Sequence, residues 1–190
     1  MAALNDPINL DNLPWLPHEL VQFAAAWRHW RGGQLLPRRN LLKLDDITSL
    51  LPRVMVLEML SPDEALLRLV GTSYFEMFGV ELTGLNFIDL AGPENRQVRS
   101  QRLWAMATLP CGSYMATADP NPTRIGNIIH SLTLPMLPAI SGKPMQFFAV
   151  TFGTVPADLI DKYGLEMVES RADEFSYVDI GAGVPDGPEY

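Results

Sequence analysis

Cysteine is almost absent from this chain. Cys111 stands alone, so no intrachain disulfide can form, which suits a reducing compartment. Histidine is nearly as scarce. His18, His29 and His130 are scattered, and with one thiol they offer no cluster of metal-ligand spacing, so no metal is expected. The first sixteen residues hold no basic residue and no long apolar run, which excludes a secretory signal. No apolar stretch approaches the ~18 residues needed to span a bilayer. The cytoplasm is the expected location, with no membrane partner. A phosphate loop is also missing, because Gly32-Gly33 follows a predicted helix instead of opening one. There is no Gly-x-Ser-x-Gly elbow either.

Positive charge is short as well. Lys and Arg number 14 against 22 Asp and Glu, a net charge of −8. Residues 1–155 carry 13 acidic and 12 basic side chains, and residues 156–190 carry 9 and 2. The body is near neutral and the tail is acidic. Such a chain lacks the cations that displace counterions from nucleic acid, so no nucleic-acid partner is expected.

What is present describes one globular domain. At 190 residues and 47% hydrophobic, the chain can bury roughly 70% of its unfolded surface. Residues 1–16 read as an N-terminal arm and 17–155 as the domain with its N-terminal helix. Residues 156–190 read as an acidic tail, partly disordered, with a modest helix over 158–169 and disorder over 181–190.

The segment Ala65 to Gly84 organises the domain. A short aliphatic strand ends at Gly71. Thr72 or Ser73 then caps a helix that turns Tyr74, Phe75, Met77 and Phe78 inward and stops at Gly79. Upstream, Pro17 opens a helix whose Leu20, Phe23, Trp27 and Trp30 recur at helical spacing. That face either covers the domain's own sheet or makes Phe23, Trp27 and Trp30 an interface for a partner or a second copy. Arg38 and Arg39 are solvated, pair with Asp45 and Asp46, or serve an anion. A short helix from Asp45 or Asp46 to Leu51 exits at Pro52. Strands follow at Val54–Leu60 and Ala65–Val70, with a short helical turn in the segment Leu85 to Leu90, suggested by Asn86 and Asp89, and a helix from Pro93 to about Leu109. That helix carries Arg96, Arg99 and Arg102 as a stripe that is solvated or docks carboxylates, including those of the acidic tail. Three further strands are expected at Ser113–Ala118, Arg124–Leu134 and Met145–Phe152, with Pro135 and Pro138 ending the second. The class is α+β: one five-stranded antiparallel sheet with helices over one face and an added N-terminal helix.

Large side chains suggest a cavity. Tyr74, Phe78, Phe87 and Trp104 come from helices; Met55, Met115 and Phe148 come from strands. Methionine tolerates varied guests, although the same residues also serve as plain core. His130 shares a strand face with Ile128, Leu132 and Leu134. It reads as a hydrogen-bonded core histidine, a polar contact for a ligand, or an axial ligand to haem. Cys111 with His130 could form a nucleophilic pair, but a lone cysteine at a strand start is usually structural.

Several phrases together resemble the PAS domain, and more closely a family of short, stand-alone bacterial PAS-like proteins formerly of unknown function. They are Trp27-Arg28 to Gly32, Leu36-Pro37-Arg38-Arg39, Leu50-Leu51-Pro52-Arg53-Val54, Arg68-Leu69-Val70-Gly71-Thr72 leading to Phe78 through Gly84, and Leu132-Thr133-Leu134-Pro135-Met136. The resemblance spans about residues 15–155 and leaves the acidic tail outside it. It implies a helix-walled cavity in a sensory or adaptor protein of bacterial signal transduction. Such a protein takes an unidentified small molecule, a protein partner or a second copy of itself, and carries no shared catalytic residues. A flavin photosensor is not implied, because Cys111 lies at a strand start. The cofactor, if any, stays unspecified. The rival readings are a haem- or other cofactor-binding sensor using His130, and a small hydrolase or isomerase using Cys111 or His130.

Overall fold

The computed structural model describes residues 16–118, 127–153 and 173–186. Its elements are α1 (His18–Arg31), β1 (Val54–Ser61), β2 (Glu64–Val70), α2 (Thr72–Phe78), α3 (Pro93–Thr108), β3 (Gly112–Ala118), β4 (Ile128–Met136), β5 (Gln146–Gly153) and β6 (Asp173–Val178). Short 3₁₀ segments lie at Arg39–Leu41, Leu44–Arg53 and Phe87–Leu90. One sheet takes all six strands in the order β2-β1-β5-β4-β3-β6, with every neighbouring pair antiparallel. The α+β architecture is therefore as the sequence predicts, with one strand more.

The extra strand comes from the acidic tail. β6 pairs with β3 from Gly112↔Val178 to Thr117↔Asp173. Its Phe175 and Tyr177 alternate onto one face and meet edge to face at 5.1 Å, a strand pattern that two acidic neighbours obscure. The expected 158–169 helix lies outside the described residues. Residues 181–186 were expected to be disordered, but the chain turns around Asp179 instead. That carboxylate accepts from the amides of Gly181 at 2.7 Å and Gly183 at 3.0 Å. Both glycines sit at positive φ, 111° and 82°, where a side chain would be strained. Residues 187–190 lie outside the described part.

β4 runs through Pro135 to Met136 instead of ending before it. The register explains why. β3 begins at Gly112, next to the Ser113↔Thr133 pair, so Pro135 lies just past the end of that neighbour and pairs only with Phe147 of β5. A proline at such a local edge sacrifices no ladder bond. Beyond it, Leu137 donates to the Pro37 carbonyl at 2.9 Å and accepts from the Arg39 amide at 2.9 Å. The connector thus closes the edge that the proline opens.

The sheet is covered on both faces. α1 lies on the outer face with the Leu44–Arg53 segment, burying Phe23, Trp27 and Trp30 against Val56, Tyr114, Leu132 and Phe148. Phe23 and Trp30 meet the Phe148 ring at 5.4 and 6.1 Å. Trp27 Nε1 donates to the Pro135 carbonyl and Trp30 Nε1 to the Asp46 carboxylate, each at 2.9 Å. Asp46 is therefore taken by a tryptophan and not by Arg38 or Arg39. Arg39 donates to Gln146 Oε1 at 3.2 Å. α2, the Phe87–Leu90 turn and α3 cover the inner face and bury Met55, Leu57, Leu67, Tyr74, Ile88, Leu103, Met106 and Cys111.

Gly71 sets how closely β2 and α2 approach the 3₁₀ segment. It is the N-cap of α2, which has no side-chain cap from Thr72 or Ser73. A Cβ built on it would lie 2.2 Å from the Pro52 carbonyl oxygen. That neighbour is backbone and cannot swing away. Gly71→Ala is expected to lower stability by about 2 kcal/mol or more, read as a reduced urea midpoint with an unchanged slope. Equal midpoints would show that this approach can relax freely.

Candidate functional site

The inner face offers a polar path in an otherwise apolar wall. Strand alternation turns Ser113, Met115, Ser131, Thr133 and Thr151 toward α2 and α3, while Tyr114, His130, Leu132 and Val150 turn toward α1. Tyr74 projects from α2 with its ring buried. Its hydroxyl donates to Thr151 Oγ1 at 2.7 Å and approaches the Arg53 carbonyl at 3.3 Å. Thr151 Oγ1 and Ser131 Oγ lie 2.9 Å apart. Three hydroxyls thus run from the helix to the centre of the sheet. Burial pushes the Tyr74 phenol up to about 12, so it stays a neutral donor. Ser131, Thr133 and Thr151 are only half-buried although they sit on central strands, so this part of the floor is reachable by solvent.

The rim of the wall is cationic. Arg99 of α3 lies over the Phe87 ring at 4.4 Å and donates to the Phe87 carbonyl at 2.8 Å. Arg102 lies over Phe175 of β6 at 3.9 Å. The stripe on α3 therefore meets the tail, with Arg102 set on an aromatic ring of β6. Arg96 instead pairs with Asp89, at 2.6 Å. Asn86 fixes the turn below: its Oδ1 accepts from the Ala65 amide at 2.9 Å and the Ile88 amide at 3.2 Å, which also shields the β2 edge.

The candidate residues divide between the two faces. Tyr74, Phe87 and Met115 belong to the inner side. Phe78 and Trp104 reach its margin with 49% and 38% of their surface exposed, so they do not line a closed interior. Phe75 is exposed as well, and the Met77 side chain lies outside the description. Phe148 belongs to the outer core with α1. Phe23, Trp27 and Trp30 are buried there too, on the domain's own sheet, which leaves them little surface for a partner. His130 also lies on the outer side, 2% exposed, with Nδ1 2.7 Å from the Tyr114 hydroxyl. A haem site combining it with the helix-walled face would have to cross the sheet, so the residues present do not fit that group. Cys111 is in the inner core and its thiol is pushed up to about 12 by burial and by Asp179. The sheet lies between it and His130, and the two form no nucleophilic pair. Among the described residues, no group of three or more His, Cys, Asp or Glu could hold a metal. Thr151 and Ser131 were not singled out from the sequence; alternation from His130 would have placed Ser131 on the opposite face, but Tyr74 meets Thr151 only in the folded chain.

The model of the PAS domain family matches residues 17–144, well over half of the chain, and the chain belongs to that family. A solved structure similar to it is that of the PAS domain from Bordetella pertussis BvgS, 15% identical, covering 67% of this chain and 97% of that one with a TM-score of 0.42. No curated protein matches. PAS domains are sensory, signalling-type domains and generally not catalytic. No described helix is long and apolar enough to cross a membrane.

Burial pushes His130 down to about 4 from an ordinary 6.5. Above pH 6.5 both folded and unfolded chains leave it neutral. Between pH 6.5 and 4 the unfolded chain binds a proton that the folded one refuses, so stability falls as pH drops through that window. Urea unfolding is expected to show about 2 kcal/mol lost to this group between pH 8 and pH 5. His130→Gln should lack that share of the loss. Identical pH dependence in both proteins would show that the ring is hydrated or charged in the fold.

Proposed function

We propose that this protein is a PAS-type sensor or adaptor in bacterial signal transduction, acting in the cytoplasm. In this reading it receives a small molecule on the helix-walled face of its sheet and passes the change on by contact with a protein partner or a second copy of itself. The observation that carries the reading is the bond between Tyr74 and Thr151, which ties α2 to the centre of the sheet across a half-open floor. A ligand that competes for Thr151 loosens α2. A ligand that accepts the chain's spare proton holds α2 in place. Either gives two states with different affinity, without which no signal can be transmitted. α2 also carries Phe75 and Phe78, 56% and 49% exposed, apolar surface whose presentation depends on where the helix sits. The near-neutral body and acidic tail support a protein or small-molecule partner over nucleic acid. No catalytic role is proposed: burial and the Asp179 carboxylate both hold the Cys111 thiol in its protonated form.

Native mass spectrometry of the purified protein is expected to show a fraction of molecules carrying an added small-molecule mass, and Tyr74→Phe is expected to change that fraction, raising it for a ligand that competes for Thr151 and lowering it for one that accepts the spare proton. The ligand reading fails if no added mass is seen and a metabolite library leaves the melting midpoint unmoved.

A further inference from the structure

Two exposed surfaces of this domain combine apolar side chains with charge, and the charges are of opposite sign. The first is the free side of α2 and the turn after it. Phe75 and Phe78 lie three residues apart on one side of the helix, Val80 follows its C-cap Gly79, and all three are exposed. Glu76 and Glu81 flank them and are the only charged residues between Leu69 and Ile88. Glu81 accepts from the Thr83 amide at 2.9 Å, and hydrogen bonds from Thr83 hold its carboxyl below the usual carboxylate range. Arg53 neighbours the start of α2 through the Tyr74 hydroxyl, but its guanidinium lies over the Phe152 ring at 4.1 Å.

The second surface joins the connector after α1 to the turn before β5. Leu41, Leu44 and Ile140 are 58%, 44% and 66% exposed. Arg38 pairs with Leu137 in an isolated bridge, and the Lys143 amide donates to the Ile140 carbonyl at 3.4 Å, which brings the two segments together. Residues 38–44 hold Arg38, Arg39 and Lys43 and no acid, and the turn adds Lys143. Of the two acids that follow, Asp46 accepts from Trp30, which leaves Asp45 beside four cations. The two surfaces lie apart on one molecule. Arg39 bonds Gln146 at the start of β5, on the α1 side, whereas Tyr74 bonds Thr151 on the other side, roughly 17 Å further along the strand.

We propose that α2 docks onto the 38–44 connector of a second copy of this chain, with Phe75, Phe78 and Val80 meeting Leu41, Leu44 and Ile140. The proposal rests on the contact half of the reading above and names its partner and surface. Exposed apolar patches mark interaction sites, and here the charges choose the occupant. α2 against α2 would oppose Glu76 and Glu81 to themselves, which disfavours a like-with-like contact. The contact joins unlike surfaces, so it is made twice about a two-fold axis or repeats around a ring. A change in where α2 sits then alters assembly directly.

Sedimentation equilibrium of the full chain at low salt, from about 5 to 500 µM, tests this. The average mass should rise with concentration from the 21.1 kDa of one chain, and about 0.5 M NaCl should weaken association at least fivefold. Glu76→Lys with Glu81→Lys, and Arg38→Glu with Lys43→Glu, should each weaken it at least about tenfold by setting like charges face to face. An equimolar mixture of the two variants should associate again, because each supplies the sign the other lacks. If either variant does not fold, Phe78→Ser and Ile140→Ser, both at exposed positions, replace them, each expected to weaken association about tenfold. Wild type at single-chain mass throughout the range overturns the proposal and leaves the reading above with a different protein as partner. Association that these substitutions leave unchanged, or a mixture that stays monomeric, overturns it too. The ligand half of that reading is decided separately, by native mass spectrometry.

Discussion

Successive side chains of a strand point to opposite faces of its sheet, and here both faces are buried, so neighbours in sequence belong to different cores. Ser131 joins the Tyr74 and Thr151 hydroxyls under α2, while His130 beside it bonds Tyr114 under α1. Phe147 packs inward and Phe148 outward. This alternation keeps the cysteine from the histidine and separates the candidate ligand face from the structural one. It also makes register decisive: a slip of one residue on β4 would place an imidazole on the inner floor and a serine under the tryptophans.

The outer core is held by polar bonds at the ends of long apolar side chains. Both α1 tryptophans spend their indole N–H on remote acceptors, and Arg31 donates to the Ile180 carbonyl at 2.7 Å, so the last turn of the helix also anchors the chain after β6. Near the β2 edge, Glu58 is buried on the same face. It is paired with Arg68, and Gln146 Nε2 donates to it at 3.3 Å. A carboxylate that far from water requires such partners, and Arg39 extends the network through Gln146. The inner core follows the opposite policy. It holds neutral hydroxyls and keeps its cations at the rim, stacked on rings, where a guanidinium keeps part of its hydration.

Much of the fold was legible in the sequence because its signals are local. The periodicity of Leu20, Phe23, Trp27 and Trp30 marked α1, glycines marked helix ends, and β-favouring runs bounded by turns marked five strands. The misses are non-local. β6 was hidden because its acidic composition resembles that of a solvated tail, and only the free edge of β3 gives it a reason to pair. Pro135 was taken as a strand end because a single strand does not reveal where its neighbour stops. Phe148 and Met115 were assigned to one cavity on side-chain type, although strand parity places them on opposite faces. The site itself was half legible: Tyr74 was apparent as a large residue on a short helix, but Thr151, 77 positions away, carried no local mark.

By itself, the sequence determined the class of fold, the position of the helices, the absence of an intrachain disulfide, and the acidic tail. Each of these follows from residue type and short-range spacing. Only the tertiary structure decided which face each strand residue serves, that the α1 tryptophans close the domain's own core, that the tail supplies a strand, and that three hydroxyls meet beneath α2. Those outcomes depend on register and strand order, set by contacts between residues far apart in the chain, which no window of local sequence contains.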